Sequence, residues 1–186
     1  MLEDYLVSYA APTLADLKTG NLFAIPYTSR QQLQREVEEV SERLSGKKLC
    51  LMIIHFYEKR ALVYLYRPDR LQQDLRDSLA TKILRAANYK TLDAAECIHH
   101  LIQRMDLSAG EEFPHEIGLF LSYPPADVKG FIENKGENCK CCGCWKGYGD
   151  RKSAEDCFRR YKKCTEAYCR SFACGVRLEE LAVAGG

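Results

Sequence analysis

Two apolar runs set almost end to end, KLCLMIIHFY over 48–57 and RALVYLY over 60–66, constrain the fold more than any other stretch. Both are rich in aromatic, aliphatic and β-branched residues and only Glu58-Lys59 separates them, which is the pattern of two antiparallel strands joined by a hairpin. Glu-Lys is not a Gly- or Asn-bearing pair of the kind that favoured two-residue turns use, so the turn is expected to be longer than it looks. Near-continuous hydrophobicity in the first run predicts a central strand covered on both faces. His55 lies in that run, and a lone histidine there reads as a hydrogen-bonded core residue.

A hairpin alone is only marginally stable, so the rest of the chain has to supply more strand and a helical cover. NLFAIPY over 21–27 reads as a third short strand, and Pro26 assigns it to an edge. Ser29 then caps the clearest helix: Gln32 sits at the reciprocal capping position, and Leu33, Val37, Val40 and Leu44 form one apolar stripe that Gly46 ends. Residues 3–9 read as a short helix, with a second capped turn starting at Thr13. Pro68 opens a helical region in which Leu71, Leu75, Leu79 and Ile83 recur every four residues, broken near Asp77-Ser78. Thr91 is expected to cap a helix over 92–105 on which only one of the adjacent His99 and His100 can share the apolar side. Pro114 and Pro125 each suit the first turn of a short helix, and Gly118 and Gly130 inside those helices require close approach of another element or of a ligand. A last helix spans 152–173.

The expected architecture is α+β: a small, mainly antiparallel sheet with a central hairpin, surrounded by helices, plus a cysteine-rich helical C-terminal segment. Residues 1–136 form the α+β body and 137–186 the basic, cysteine-rich segment packed on it, one domain overall. The 186 residues suffice for one well-filled core. No apolar run approaches the roughly 20 residues of a membrane-spanning helix, and the first residues carry acids where a secretory signal would carry a basic region and an apolar block. A cytoplasmic protein with no membrane partner is the expectation. Net charge is +1, yet 129–177 holds twelve Lys/Arg against six Asp/Glu, so a basic third balances an acidic remainder.

Of ten cysteines, eight lie between Cys139 and Cys174. In a reduced compartment they call for an explanation other than disulfides. Cys139, Cys141, Cys142 and Cys144 spell C-x-C-C-x-C, two interleaved C-x-x-C pairs able to converge on zinc or an iron–sulfur cluster, to cycle as thiol and disulfide, or to stand free. Cys164 and Cys169 are the candidates to complete a four-thiolate shell, but on one continuous helix they sit about 140° apart. His115-Glu116, preceded by Glu111 and Glu112, is an acid/base or metal-ligand candidate, although the second histidine of H-E-x-x-H is missing because position 119 is leucine. Lys140, Trp145, Lys146, Arg159, Arg160, Lys162 and Lys163 combine positive charge with aromatic character, as a surface for nucleic acid or an acidic protein partner does. No P-loop, G-x-G-x-x-G or G-x-S-x-G pattern occurs.

PHEIGLFLSYPPADVKGFIENKG, GCWKGYGD, RYKKCT and, near the start, APTLADLKTGNLF resemble an uncharacterised bacterial family, a domain of unknown function seen mainly in anaerobic Gram-positive bacteria. The resemblance spans nearly the whole chain. It implies a cytosolic protein and a setting that favours oxygen-sensitive thiol or metal chemistry, and it carries no catalytic residue across.

Overall fold

The computed structural model of the chain describes residues 2–107 and 113–185. Glu111 and Glu112 lie outside the described residues. The order along the chain is α1 (Leu2–Leu14), β1 (Gly20–Pro26), α2 (Arg30–Ser45), β2 (Cys50–Phe56), β3 (Arg60–Tyr66), α3 (Pro68–Asp74), α4 (Ser78–Ala86), α5 (Ala94–Leu107), α6 (Ile117–Phe120), α7 (Pro125–Glu133), β4 (Cys141–Cys142), β5 (Lys146–Gly147), α8 (Arg151–Ala173) and α9 (Leu178–Leu181). These elements make a small α+β fold with a central antiparallel sheet and hairpin surrounded by helices. They fall into two compact units, one made of 1–69 and 161–186, the other of 70–160.

The first unit is built on a three-stranded antiparallel sheet ordered β1-β3-β2. The central strand is therefore β3, and β2, expected at the centre from its apolar run, is an edge strand. A bulge explains why an edge strand reads as apolar at every position. Pairing runs Ile53↔Val63 and then His55↔Leu62, so Ile54 is the extra residue, and the strand changes parity there. Leu51 and Ile53 before the bulge and Phe56 after it all reach the same core face, opposite Leu65, Val63 and Ala61. His55 is half-buried on this edge, its ring edge-on to Tyr57 at 4.5 Å.

Helices α1 and α2 pack on β1 and β2 respectively. Ser29 caps α2 as its sequence predicts, its hydroxyl accepting from the Gln32 amide. The two short helices expected over 3–16 are instead one helix that runs through Pro12. The core joins Leu6, Ala10 and Leu14 of α1 to Val37 and Leu44 of α2, the inner face of the sheet, and Leu178 of α9. Beneath it Arg67 is almost fully buried and its guanidinium is saturated: it pairs with Asp16 at 3.0 Å and donates to the carbonyls of Thr13, Leu14, Lys47 and Val183.

The second unit is mostly short helices. The break between α3 and α4 falls where the sequence places it, with the Asp77 side chain capping α4. Helix α5 begins two residues later than expected, because Asp93 rather than Thr91 accepts from the first-turn amide of Glu96. Pro125 takes the first position of α7, and Gly136, at φ +76°, ends the segment. A Cβ built on Gly130 would lie 2.5 Å from Tyr148 Cβ and Cγ, and one on Gly118 would lie 2.8 Å from Val128 Cγ2. Both glycines thus admit a neighbouring element, not a ligand.

Candidate functional site

The segment 113–149 is organised by one carboxylate. Asp127, in the first turn of α7, is 4 % exposed. It accepts from the Trp145 indole at 2.7 Å, the Tyr148 amide at 2.8 Å and the Gly149 amide at 2.7 Å. A carboxylate held by three N–H groups is satisfied without a counter-ion. Trp145 is buried beside it, stacked on Tyr123 and edge-on to Phe158. Asp127 therefore fastens the PPADV helix to the hairpin that carries the cysteines.

In that hairpin β4 pairs with β5, Cys141 opposite Gly147 and Cys142 opposite Lys146. Cys139 and Cys141 are half-buried, while Cys142 and Cys144 are exposed. Cys141 lies over Gly147; loss of hydration and the nearby carboxylates of Glu155 and Asp127 push its thiol up. Burial also raises Cys50 and Cys164, and takes Cys97 up to about 11. Wherever a thiol is displaced, then, it is displaced away from thiolate. Cys164 and Cys169 lie on the unbroken α8, Cys169 with its sulfur toward the Val7 carbonyl of α1. Among the described residues no three His, Cys, Asp or Glu side chains converge as ligands for one ion.

The basic residues divide by what holds them. The Lys140 and Lys146 ammonium groups donate to the carbonyls of Gly149 and Gly136, and Trp145 is inside the fold. Arg159 pairs with Asp156 one turn back on α8. Arg160 reaches the Cys157 sulfur, while Lys162 and Lys163 are exposed.

His115 and Glu116 meet in a different place. Both line a cleft of about 610 Å³ within the second unit, walled by Leu79, Ile83 and Ala87 on one side and Phe113, Pro114 and Ile132 on the other. His115 is half-buried, its ring edge-on to Phe131 at 4.9 Å. Glu116 is 3 % exposed. Its Oε1 lies 2.6 Å from Arg104 Nε and accepts from the Tyr89 hydroxyl at 3.2 Å. The Arg104 contact is an ion pair by distance, but its direction is poor, and the buried Nε has no hydrogen bond of regular geometry. Burial, followed by the nearby Glu116 charge, pushes the Tyr89 hydroxyl far up, so it stays a donor. His100 packs edge-on to Tyr89 at 4.4 Å, and its buried Nε2 has no hydrogen-bond partner; His99, on the outer side of α5, is exposed.

Sequence reasoning singled out His115 and Glu116 and missed Arg104 and Lys82, which line the same cleft, and Tyr89, whose hydroxyl donates to Glu116. The only sequence signal for Arg104 is its place beside the apolar stripe of α5, which any helix-edge arginine shares.

Residues 6–182 match the family described as protein of unknown function (DUF3793), and the chain belongs to that family. No curated protein and no solved structure matches it. No helix among the described residues is long and apolar enough to cross a membrane.

Proposed function

We propose that the chain is a ligand-binding protein whose cleft takes a small molecule over the Glu116–Arg104 pair. In this reading His115, on the cleft wall, is the group able to exchange a proton with it. One observation carries the proposal: a carboxylate removed from water and paired with an arginine lines an open cleft whose other walls combine apolar side chains with a ring of polar and charged groups. Pockets of roughly 300–1,000 Å³ with apolar walls and a few converging polar groups are the usual form of small-molecule sites. A buried carboxylate paired with a partly exposed arginine adds little stability for the desolvation it requires, which favours a functional reason for its position. Proton exchange at His115 suits general acid–base chemistry as well as plain binding. The test is a fragment screen read by methyl-resolved NMR. Binders are expected to shift the methyls of Leu79, Ile83 and Ile132, and His115→Ala to weaken a subset of them. A screen in which no fragment moves those methyls overturns the proposal.

A second reading keeps the hairpin thiols as ligands for zinc, iron or an iron–sulfur cluster, or as a redox pair. It is favoured by the placement of four thiols within six residues, two of them at the surface, with Cys139 and Cys142 both close enough to affect the Tyr148 hydroxyl electrostatically. Because no three ligand side chains converge among the described residues, a metal held by three or more thiols would have to draw them together by side-chain rotation in the hairpin. Purification under anoxia followed by metal analysis and a visible spectrum tests this. One equivalent of metal lost in a Cys139→Ser/Cys142→Ser variant supports it. A colourless, metal-free protein whose thiols titrate independently removes it.

A further inference from the structure

The charges around the cleft narrow what it can hold. Among the described residues its lining holds three cations, Lys82, Arg104 and Lys129, against two carboxylates, Glu116 and Glu133. Arg104 is paired with Glu116, and Lys129 lies 3.5 Å from Glu133 one turn along α7. Among the described residues the lysines, arginine and carboxylates of the lining leave one surplus positive charge, and Lys82, exposed on α4, is the cation outside those two pairs. Arg104 adds a second feature. It touches Glu116 through Nε in a direction that makes no regular hydrogen bond, and its side chain is one-third exposed. The outward edge of that guanidinium is a planar donor fork, a shape that matches a carboxylate. Apart from Asn88 and His115 the rest of the lining is apolar, and it includes Phe113 and Ile132, two of the large hydrophobic side chains left exposed among the described residues.

We infer that the ligand is a monoanionic carboxylate with an apolar body, its carboxylate between Arg104 and Lys82 and its body against Ile83, Phe113 and Ile132. A single negative charge cancels the surplus of the lining. A dianion would overcompensate it and meet Glu116, and a cation would meet Arg104 and Lys82 with like charge. This inference rests on the cleft being a binding site, as proposed above.

The experiment uses the full chain and four probes of one length: octanoate, octyl phosphate, octanol and octylamine, titrated while the cleft methyls are followed by NMR. Octanoate is expected to bind about tenfold or more tighter than octanol and octylamine, as one charge-assisted contact implies, and tighter than the more highly charged octyl phosphate. Lys82→Glu, a change at an exposed position that leaves the fold intact, is expected to weaken octanoate about tenfold and leave octanol unchanged. If octanol or octylamine binds in the cleft as well as octanoate does, or if Lys82→Glu leaves octanoate unaffected, the ligand class is wrong while the cleft remains a binding site. If octyl phosphate binds tightest, the anion is a phosphate and the carboxylate assignment falls. If no probe and no fragment moves the cleft methyls, both proposals fall together.

Discussion

Asp127 and Glu116 are two buried carboxylates eleven residues apart in one unit, and they are treated in opposite ways. Asp127 receives three well-directed N–H groups, one from an indole and two from backbone. Glu116 receives a tyrosine hydroxyl and a misdirected arginine, both on Oε1, at the wall of an open cleft. A carboxylate with its acceptor capacity filled by fixed donors is part of the scaffold. One whose partner keeps donors in reserve beside a cavity is placed to respond to a ligand. The difference lies in the direction and mobility of the donors, since depth of burial is nearly the same in the two cases.

Asp127→Ala should give the largest effect. It strands one buried donor, the Trp145 indole, and two half-buried backbone amides, and a loss of about 3 kcal/mol of stability is expected. Trp145 is the only tryptophan, so its emission should shift to the red as the indole loses its partner; an unshifted spectrum would mean that Asp127 does not hold the hairpin. Gly130→Ala comes next, at about 2 kcal/mol, because Tyr148 must move to admit the methyl. Its mark is a lowered denaturation midpoint with an unchanged denaturant slope. Glu116→Gln is expected to cost only about 1 kcal/mol, since Tyr89 can still donate and Arg104 can turn its charge to water. A cost equal to that of Asp127→Ala would erase the distinction between the two carboxylates.

The remaining effect is on pH. Cys97 titrates at about 11 in the folded chain because burial, then Asp93 and Glu96, oppose its thiolate. The unfolded thiol, near 8.5, loses its proton first, so between those values the unfolded state binds fewer protons and stability falls as pH rises. The midpoint of thermal unfolding should decline from pH 9 toward 11, and Cys97→Ala should flatten that decline. Alkylation at pH 8 should reach Cys142 and Cys144 well before Cys97.

Much of the fold was legible because its signals are local. The Ser29 cap, the four-residue stripe of α2, the edge position announced by Pro26 and the break at Asp77 each depend on residues within one or two turns. The order of the strands was not legible. A bulge at Ile54 lets an edge strand be apolar at consecutive positions, which periodicity alone reads as double-sided burial. The candidate site was legible only in part. His115 and Glu116 drew attention as a pair of chemical groups, but Arg104 and Tyr89 come from other elements, and no spacing rule links them to position 116. Asp127 was missed for the same reason: an acid in the first turn of a proline-led helix looks like ordinary dipole chemistry until Trp145 and Tyr148 arrive from twenty residues away.

The buried Arg67 has a consequence for the order in which the chain can be completed. Its guanidinium closes only when the carbonyl of Val183 reaches it, 116 positions later. On a ribosome, residues 70–160 emerge as one continuous stretch and can settle while the sheet unit still lacks its last contributors, 161–186. The segment carrying the cleft can thus mature first, while the sheet unit, with Asp16 and the earlier carbonyls already on Arg67, still waits for the last acceptor. A stop codon a few residues early would be felt at the far end of the sequence, where Thr13, Leu14 and Asp16 share the same arginine.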